Sequence, residues 1–251
     1  MRRATLLVLA CLSVLAFAPR QAWATWTMTQ HVISATCPTS NNPTCTVTVA
    51  STTAGDVGVI AYAADSGCTV GAITGGGTWS TCTGCSVDNS TVGYHLEARE
   101  TLSLAGGATS LSLQINCTSN PWHFTFIELH TTLTPAFDVA ANTGAENTGT
   151  NVSTEPGAAL SLTGANDAIV QIAGQDWSDN VTAITSPYSS YADVGNPQAF
   201  ATAINTSSGA APTWTLASAN NSFIGLALAF KETGGAPAKT CTLALMGAGP
   251  C

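Results

Sequence analysis

Chemistry in this chain would have to come from a few titratable residues. Glu128 and His130 stand two apart in the apolar run Trp122–Thr131. Side chains two apart on a strand share a face. Aligning that run with Ser222–Lys231 puts Phe124 opposite Ile224, Phe126 opposite Leu226, Glu128 opposite Leu228 and His130 opposite Phe230. The second stretch is wholly apolar on this face, so Glu128 and His130 are expected where core residues would stand. Burying a bare carboxylate costs several kcal/mol. Glu128 is therefore expected either to accept hydrogen bonds from loop amides and tie down a crossover, or to act as a general acid/base beside His130 at a pocket rim.

A second row lies on Thr91–Arg99, where His95, Glu97 and Arg99 alternate with Tyr94, Leu96 and Ala98. It reads as a solvated sheet face with cross-strand salt pairing. The alternative is a glycan site, with the carboxylate and guanidinium taking paired sugar hydroxyls and His123 joining from its own strand. A glycosidase needs a second carboxylate about 5–10 Å from the first. Glu100 is expected to leave the strand, so Glu97 has no evident partner.

Asp176-Trp177-Ser178-Asp179-Asn180 gathers hard oxygens in one loop, which makes Asp176 and Asp179 candidate Ca²⁺ ligands, although Asp and Asn are also ordinary turn residues. Trp177, Tyr188 and Tyr191 fall in turn-rich stretches; they would either stack on sugar faces or cap the ends of the fold. The chain has no GxSxG, HExxH, P-loop or dinucleotide fingerprint, and no paired histidines at a transition-metal spacing.

The elements that must position these groups are strands. Short period-two apolar runs alternate with Gly, Ser, Thr, Asn and Asp clusters, and helix signals are scarce. Strands are predicted at Thr44–Ala50, Val57–Ala63, Val70–Thr74, Thr91–Arg99, Ser110–Asn116 and Trp122–Thr131. A second set follows at Ala158–Leu162, Ala168–Ala173, Val181–Thr185, Gln198–Ile204, Thr213–Leu216 and Ser222–Lys231. Val59-Ile60-Ala61-Tyr62 matches Ile169-Val170-Gln171-Ile172, and each copy continues through a turn to an aromatic, Trp79 or Tyr188. The pattern predicts an all-β, antiparallel β-sandwich of jelly-roll type. It is built from two similar halves that combine into one pair of sheets, because neither half alone has a large core.

Met1–Ala24 reads as a secretory signal peptide: Arg2 and Arg3, an apolar stretch, then Ala22-Trp23-Ala24. Val8-Leu9-Ala10-Cys11 offers an alternative lipoprotein cleavage. Residues 25–232 form the duplicated domain, and 233–251 a Gly/Pro/Ala linker with a cysteine-containing tail. Eight cysteines remain beyond Cys11, the even count expected of an exported, disulfide-stabilised protein. Cys37 and Cys45 flank a turn-rich loop and are expected to pair, as are Cys241 and Cys251. Cys68, Cys82, Cys85 and Cys117 are left unassigned. Cys82-Thr83-Gly84-Cys85 has redox and zinc spacing, but without a following helix or a second CxxC it reads as structural.

Only 8% of the 251 residues are charged. Three of the six basic residues (Arg2, Arg3, Arg20) lie in the leader and all fourteen acids beyond it, so the mature chain carries a net charge of −11. Three cations cannot neutralise a run of phosphates or hold an anionic membrane surface, which excludes nucleic-acid and electrostatic membrane binding. No stretch after the leader is long and apolar enough for a transmembrane segment.

Gly55-Asp56-Val57, the Ile73–Trp79 turn, Ile127-Glu128-Leu129-His130, Pro135-Ala136-Phe137-Asp138 and Ala229-Phe230-Lys231 follow one another in an order that resembles a broad group of secreted bacterial β-sandwich surface domains, many without assigned function. The chain departs from that group in having His130 where an aromatic is common, and in its cysteines. The resemblance implies an extracellular module. Three functions are carried forward: a non-catalytic binding or adhesion module directed at polysaccharide or cell-surface glycan, with or without Ca²⁺; a self-assembling coat or filament subunit, and so a homo-oligomer; and a glycan-active hydrolase or lyase using Glu128 or the Glu97 row.

Overall fold

The computed structural model describes residues 25–37, 42–90, 93–116, 121–144, 152–175, 181–192, 198–220 and 223–233. Among them are sixteen strands and no helix. The first eight are β1 (Thr27–Thr36), β2 (Thr44–Thr48), β3 (Val57–Asp65), β4 (Thr69–Thr74), β5 (Ser86–Asn89), β6 (Tyr94–Thr101), β7 (Ser110–Asn116) and β8 (Pro121–His130). The second eight are β9 (Thr134–Asn142), β10 (Val152–Pro156), β11 (Asp167–Gln175), β12 (Val181–Ile184), β13 (Ser189–Ala192), β14 (Gln198–Thr206), β15 (Thr213–Asn220) and β16 (Phe223–Thr233).

The first eight form a five-stranded sheet, β1-β8-β3-β6-β5, and a three-stranded sheet, β2-β7-β4. The second eight form β13-β14-β11-β16-β9 and β10-β15-β12. Adding eight to every strand of the first set reproduces the second, so the internal repeat extends to the topology. All pairings are antiparallel.

The expected single pair of sheets is instead four sheets with three cores. One core lies inside the first half, around Ile60, Tyr62, Leu111, Leu113 and Phe126. Another lies inside the second half, around Ile169, Trp214, Ala227 and Ala229. The third joins the two five-stranded sheets, with Val57, Val59, Ile127 and Leu129 against Val170, Ile172, Leu226 and Phe230. Trp79 and Tyr188, the aromatics that follow the matching turns, pack with the inner cores of their respective halves.

Strands in the middle of the five-stranded sheets are thus covered on both faces. That is why β3 and β16 read as nearly continuous apolar runs and are buried almost end to end. It also explains a one-residue error in the repeat alignment. Alternation normally fixes register, but a strand buried on both sides has little alternation to offer. Val59 faces the core between the halves whereas Ile169 faces the second half's own core, so the match of Val59 to Ile169 slips by one and Gly58 is the counterpart of Ile169. As Gly58 pairs with Glu128 and Ile169 with Ala229, Glu128 corresponds to Ala229 and His130 to Lys231.

Ala158–Leu162 is not a strand. It is an irregular connection held by Leu160 N–H to Gly209 O (2.7 Å) and by Gln171, whose side chain bonds both Ala158 N–H (3.3 Å) and Ala158 O (2.7 Å). The strands β1, β5, β9, β10 and β13 were not anticipated from the pattern. Cys37 and Cys45 form the expected disulfide, with Cα atoms 4.8 Å apart. Cys82 and Cys85 pair as well, and Cys68 is disulfide-bonded. Cys241 and Cys251 lie outside the described residues.

The Cys82–Cys85 turn also joins the halves. Gly84 packs so closely on the backbone of Ala140 that an added Cβ would sit 2.8 Å from its carbonyl oxygen, and Asn142 Nδ2 donates to Ser86 O at 3.0 Å. At another point Trp26 donates through its backbone N–H to Asn205 Oδ1 (2.7 Å) and through Nε1 to Asn166 O (3.0 Å).

Candidate functional site

Glu128 is fully buried on β8, between Gln30 of β1 and Gly58 of β3. Its Oε1 accepts the Thr53 N–H at 2.7 Å, and its Oε2 accepts from Gln30 Nε2. Gln30 also pairs with the Ala50 backbone, donating to its carbonyl at 3.0 Å and accepting its N–H at 2.9 Å. Glu128 and Gln30 together hold the crossover from β2 to β3. In the second half, Gln171 and Ala158 fasten the corresponding crossover from β10 to β11.

His130 does not join Glu128. It stands at the end of β8 with 44% of its side chain exposed, and its Nδ1 lies 2.7 Å from Asp56 Oδ1. Asp56 is buried and accepts from Thr29 Oγ1 at 3.3 Å. The expectation that His130 occupies a core position is therefore corrected, and the one-residue register shift accounts for it.

The corresponding place in the second half holds Asp138, Asp167 and Lys231. Thr29 and Asp138 are both bulge residues, set where the edge strand slips register against β8 or β16. Lys231 Nζ lies 2.9 Å from Asp138 Oδ1 and donates to Thr163 Oγ1 at 2.8 Å, while Thr163 N–H reaches Asp138 Oδ2 at 2.7 Å. Burial works against ionisation of Asp138, but the Thr163 hydroxyl and amide and the Lys231 ammonium outweigh it and hold its pKa at about 2. Asp167 is fully buried, and burial together with the Asp138 charge raises its pKa to about 6. Two carboxyls sharing one ammonium separate into one ionised and one readily protonated group.

The His95 row is not a solvated face. His95 and Glu97 are 6% and 8% exposed, because their side of β6 is shared by Tyr62, which belongs to the inner core of the first half. Glu97 Oε2 accepts from Tyr62 OH at 3.0 Å and lies 3.3 Å from His95 Nε2, while Oε1 pairs with Arg99. His95 Nδ1 lies 3.1 Å from Asp88 Oδ1, and Asp88 accepts from Ser66 Oγ (2.7 Å) and Gly67 N–H (2.9 Å). Burial opposes the Glu97 charge, yet bonds from His95 and Tyr62 and the Arg99 charge lower its pKa. Burial and the Glu97 charge raise that of Tyr62. The guanidinium is paired with Glu97 within the fold, while its Nε is buried without a hydrogen-bond partner.

Tyr188 is 8% exposed and packs in the second half's inner core instead of standing at a loop tip. Its N–H closes the turn before β13 on Thr185 O at 3.3 Å. Tyr191 lies on β13 and pairs with Phe200; its side chain, like that of His123, is outside the described set. Asp176, Trp177 and Asp179 also lie outside the described residues. Among the described residues no group of three or more His, Cys, Asp or Glu could hold a metal ion. No helix there is long and apolar enough to cross a membrane.

A groove of about 560 Å³ opens where the glycine turn after β4 meets the loop after β6, lined by Gly77, Thr78, Ser80, Glu100, Thr101 and residues 102–105. Gly75, Gly76 and Gly77 have φ of +87°, +71° and +124°, a left-handed path that β-carbon-bearing residues rarely follow. At Gly75 a Cβ would meet Ser110 O at 2.5 Å. Both walls are pinned: Ala105 N–H donates to Gly76 O (2.8 Å), Ser80 N–H to Glu100 O (2.8 Å), Leu104 N–H to Asp56 O (2.7 Å) and Thr52 Oγ1 to Ala105 O (2.6 Å). β6 runs through Thr101, so Glu100 remains on the strand. It is 7% exposed, its Oε2 is buried with no hydrogen-bond partner, and burial raises its pKa. The signals in the sequence are the three glycines and the Ser103–Gly107 turn; their meeting across two sheets is not written in either.

No family model, curated protein or solved structure matches this chain.

Proposed function

We propose that the chain is a secreted, non-catalytic binding module directed at glycans, built as two jelly-roll-type units in tandem. The observation that carries this reading is the pinned groove. It is preformed, open, and lined by the hydroxyl-bearing residues Thr78, Ser80, Thr101 and Ser103. Sites of this kind orient a polar ligand through a few placed groups and lose little entropy in closing on it. The disulfides Cys37–Cys45 and Cys82–Cys85 are in keeping with export.

A binding reading is favoured over an enzymatic one because the best acid/base candidates hold the fold together. Glu128 secures a crossover, Glu97 is matched by Tyr62, His95 and Arg99, and His130 faces Asp56. The deciding experiment is a panel of immobilised polysaccharides scored for both retention and soluble product. Retention without product, weakened by a bulky substitution at Ser103, is the expected outcome. Release of reducing ends would establish an enzyme, and retention on none would remove the glycan reading.

A further inference from the structure

We propose that the groove takes a ligand bearing a primary ammonium group, an amino sugar unit, whose charge meets the carboxylate of Glu100. This rests on the glycan reading above and names the class of sugar.

The argument begins from charge. Glu100 is among the residues lining the groove, is more than nine-tenths buried, and has one carboxylate oxygen buried without a hydrogen-bond donor. A buried carboxylate in that state is unfavourable unless a counter-charge and donors reach it. Among the described residues none does. Arg99 is adjacent in sequence, but alternation along β6 turns it to the opposite face, where it pairs with Glu97. Lys231 is held by Asp138 in the other half. Beyond Arg20 the sequence has only one further cation, Lys239, which lies outside the described residues.

A sugar hydroxyl could donate one hydrogen bond to Glu100 without neutralising it. An ammonium supplies three donors and the compensating positive charge that a hydroxyl lacks. The exposed hydroxyls of Thr78, Ser80 and Ser103 are then suited to the remaining ring hydroxyls. A neutral N-acetyl group in the same place brings no charge and adds bulk beside a buried carboxylate.

The test is calorimetric titration of the full-length exported protein with three β-1,4-linked oligomers of equal length: glucosamine, N-acetylglucosamine and glucose. It is run at mildly acidic pH, where the amine is protonated. The expected result is glucosamine oligomer binding about tenfold or more tighter than both neutral oligomers, falling as salt rises. Glu100→Gln removes that preference. Thr78→Arg, at an exposed position that leaves the buried carboxylate in place, weakens the glucosamine oligomer most; it keeps the test decisive should Glu100→Gln fail to fold. Equal binding of all three oligomers overturns the ammonium inference and leaves the glycan reading standing. A preference for glucosamine that survives both substitutions also overturns it, since general attraction to an acidic surface would then suffice. Binding of none overturns the glycan reading itself.

Discussion

Replacing Glu128 by leucine separates a structural carboxylate from a catalytic one. The substitution leaves the Thr53 N–H (2.7 Å from Oε1) and one Gln30 amide hydrogen without their acceptor. Hydrogen bonds to a charged group contribute about 1.5–3 kcal/mol each. Two would give about 3–6 kcal/mol, but Thr53 lies at the surface and water can reach its amide, so about 3 kcal/mol is expected. Leucine is apolar and similar in size, which keeps cavity terms small. The measurement is urea unfolding of the oxidised protein, read as a shift in midpoint at unchanged m-value. Gln30→Ala and the double variant complete a cycle. Because Gln30 bridges Glu128 to Ala50, the double variant should lose less than the sum of the singles. Glycan retention measured below the transition should be unchanged. An Glu128→Leu protein as stable as wild type, or one fully folded but inert toward glycan, would refute the crossover-tie reasoning.

Three further outcomes are expected. Asp167 is protonated in the fold up to about pH 6 but only to its ordinary value of 3.8 when unfolded, so its contribution to stability declines as pH rises from 3.8 toward 6; Asp167→Asn should flatten that decline and stabilise the protein by about 2 kcal/mol at neutral pH, as read from urea midpoints across the pH range. Asp138, held at about 2, acts in the opposite sense: its contribution is present above pH 3.8 and is lost as pH falls through 2, so Asp138→Asn should remove that acid-side slope. Gly75→Ala forces a β-carbon into a left-handed turn against Ser110 O, and should cost more than about 1 kcal/mol while weakening ligand retention, whereas Gly67→Ala, with positive φ but open space, should cost only the backbone strain.

What could be read from the sequence divides along one physical line. Alternation and turn chemistry disclosed the β class, the duplication and the Cys37–Cys45 loop, because each is written locally. Register within β3, β8 and β16 was not available, since Val59 and Ile60 are both fully buried and an apolar pattern without polar positions cannot say which residue faces which core. The same blindness put His130 in a core and left His95 and Glu97 on a wet face. A polar row normally marks solvent, but here Tyr62, Asp88 and Arg99 meet every demand of the two buried groups from within the protein. The groove was hidden for another reason: its walls come from turns that are about 25 residues apart in sequence and meet only after two sheets pack.

The low charge of the chain follows from this architecture. Stacking two five-stranded sheets face to face gives their inner strands no wet side, so Lys and Arg have few positions from which to reach water. The two cations described inside the fold are both committed: Arg99 to Glu97 beside the inner core of the first half, and Lys231 to Asp138 at the bulge of the second. The bulge site shows how two copies of one plan diverge under that shortage. One copy sets a histidine against a single buried acid at Asp56; the other sets a lysine against Asp138 and leaves Asp167 the more readily protonated of its two acids. Glu100 has neither arrangement. Among the described residues nothing bonds its buried oxygen, and the partner proposed for it is a ligand entering through the groove.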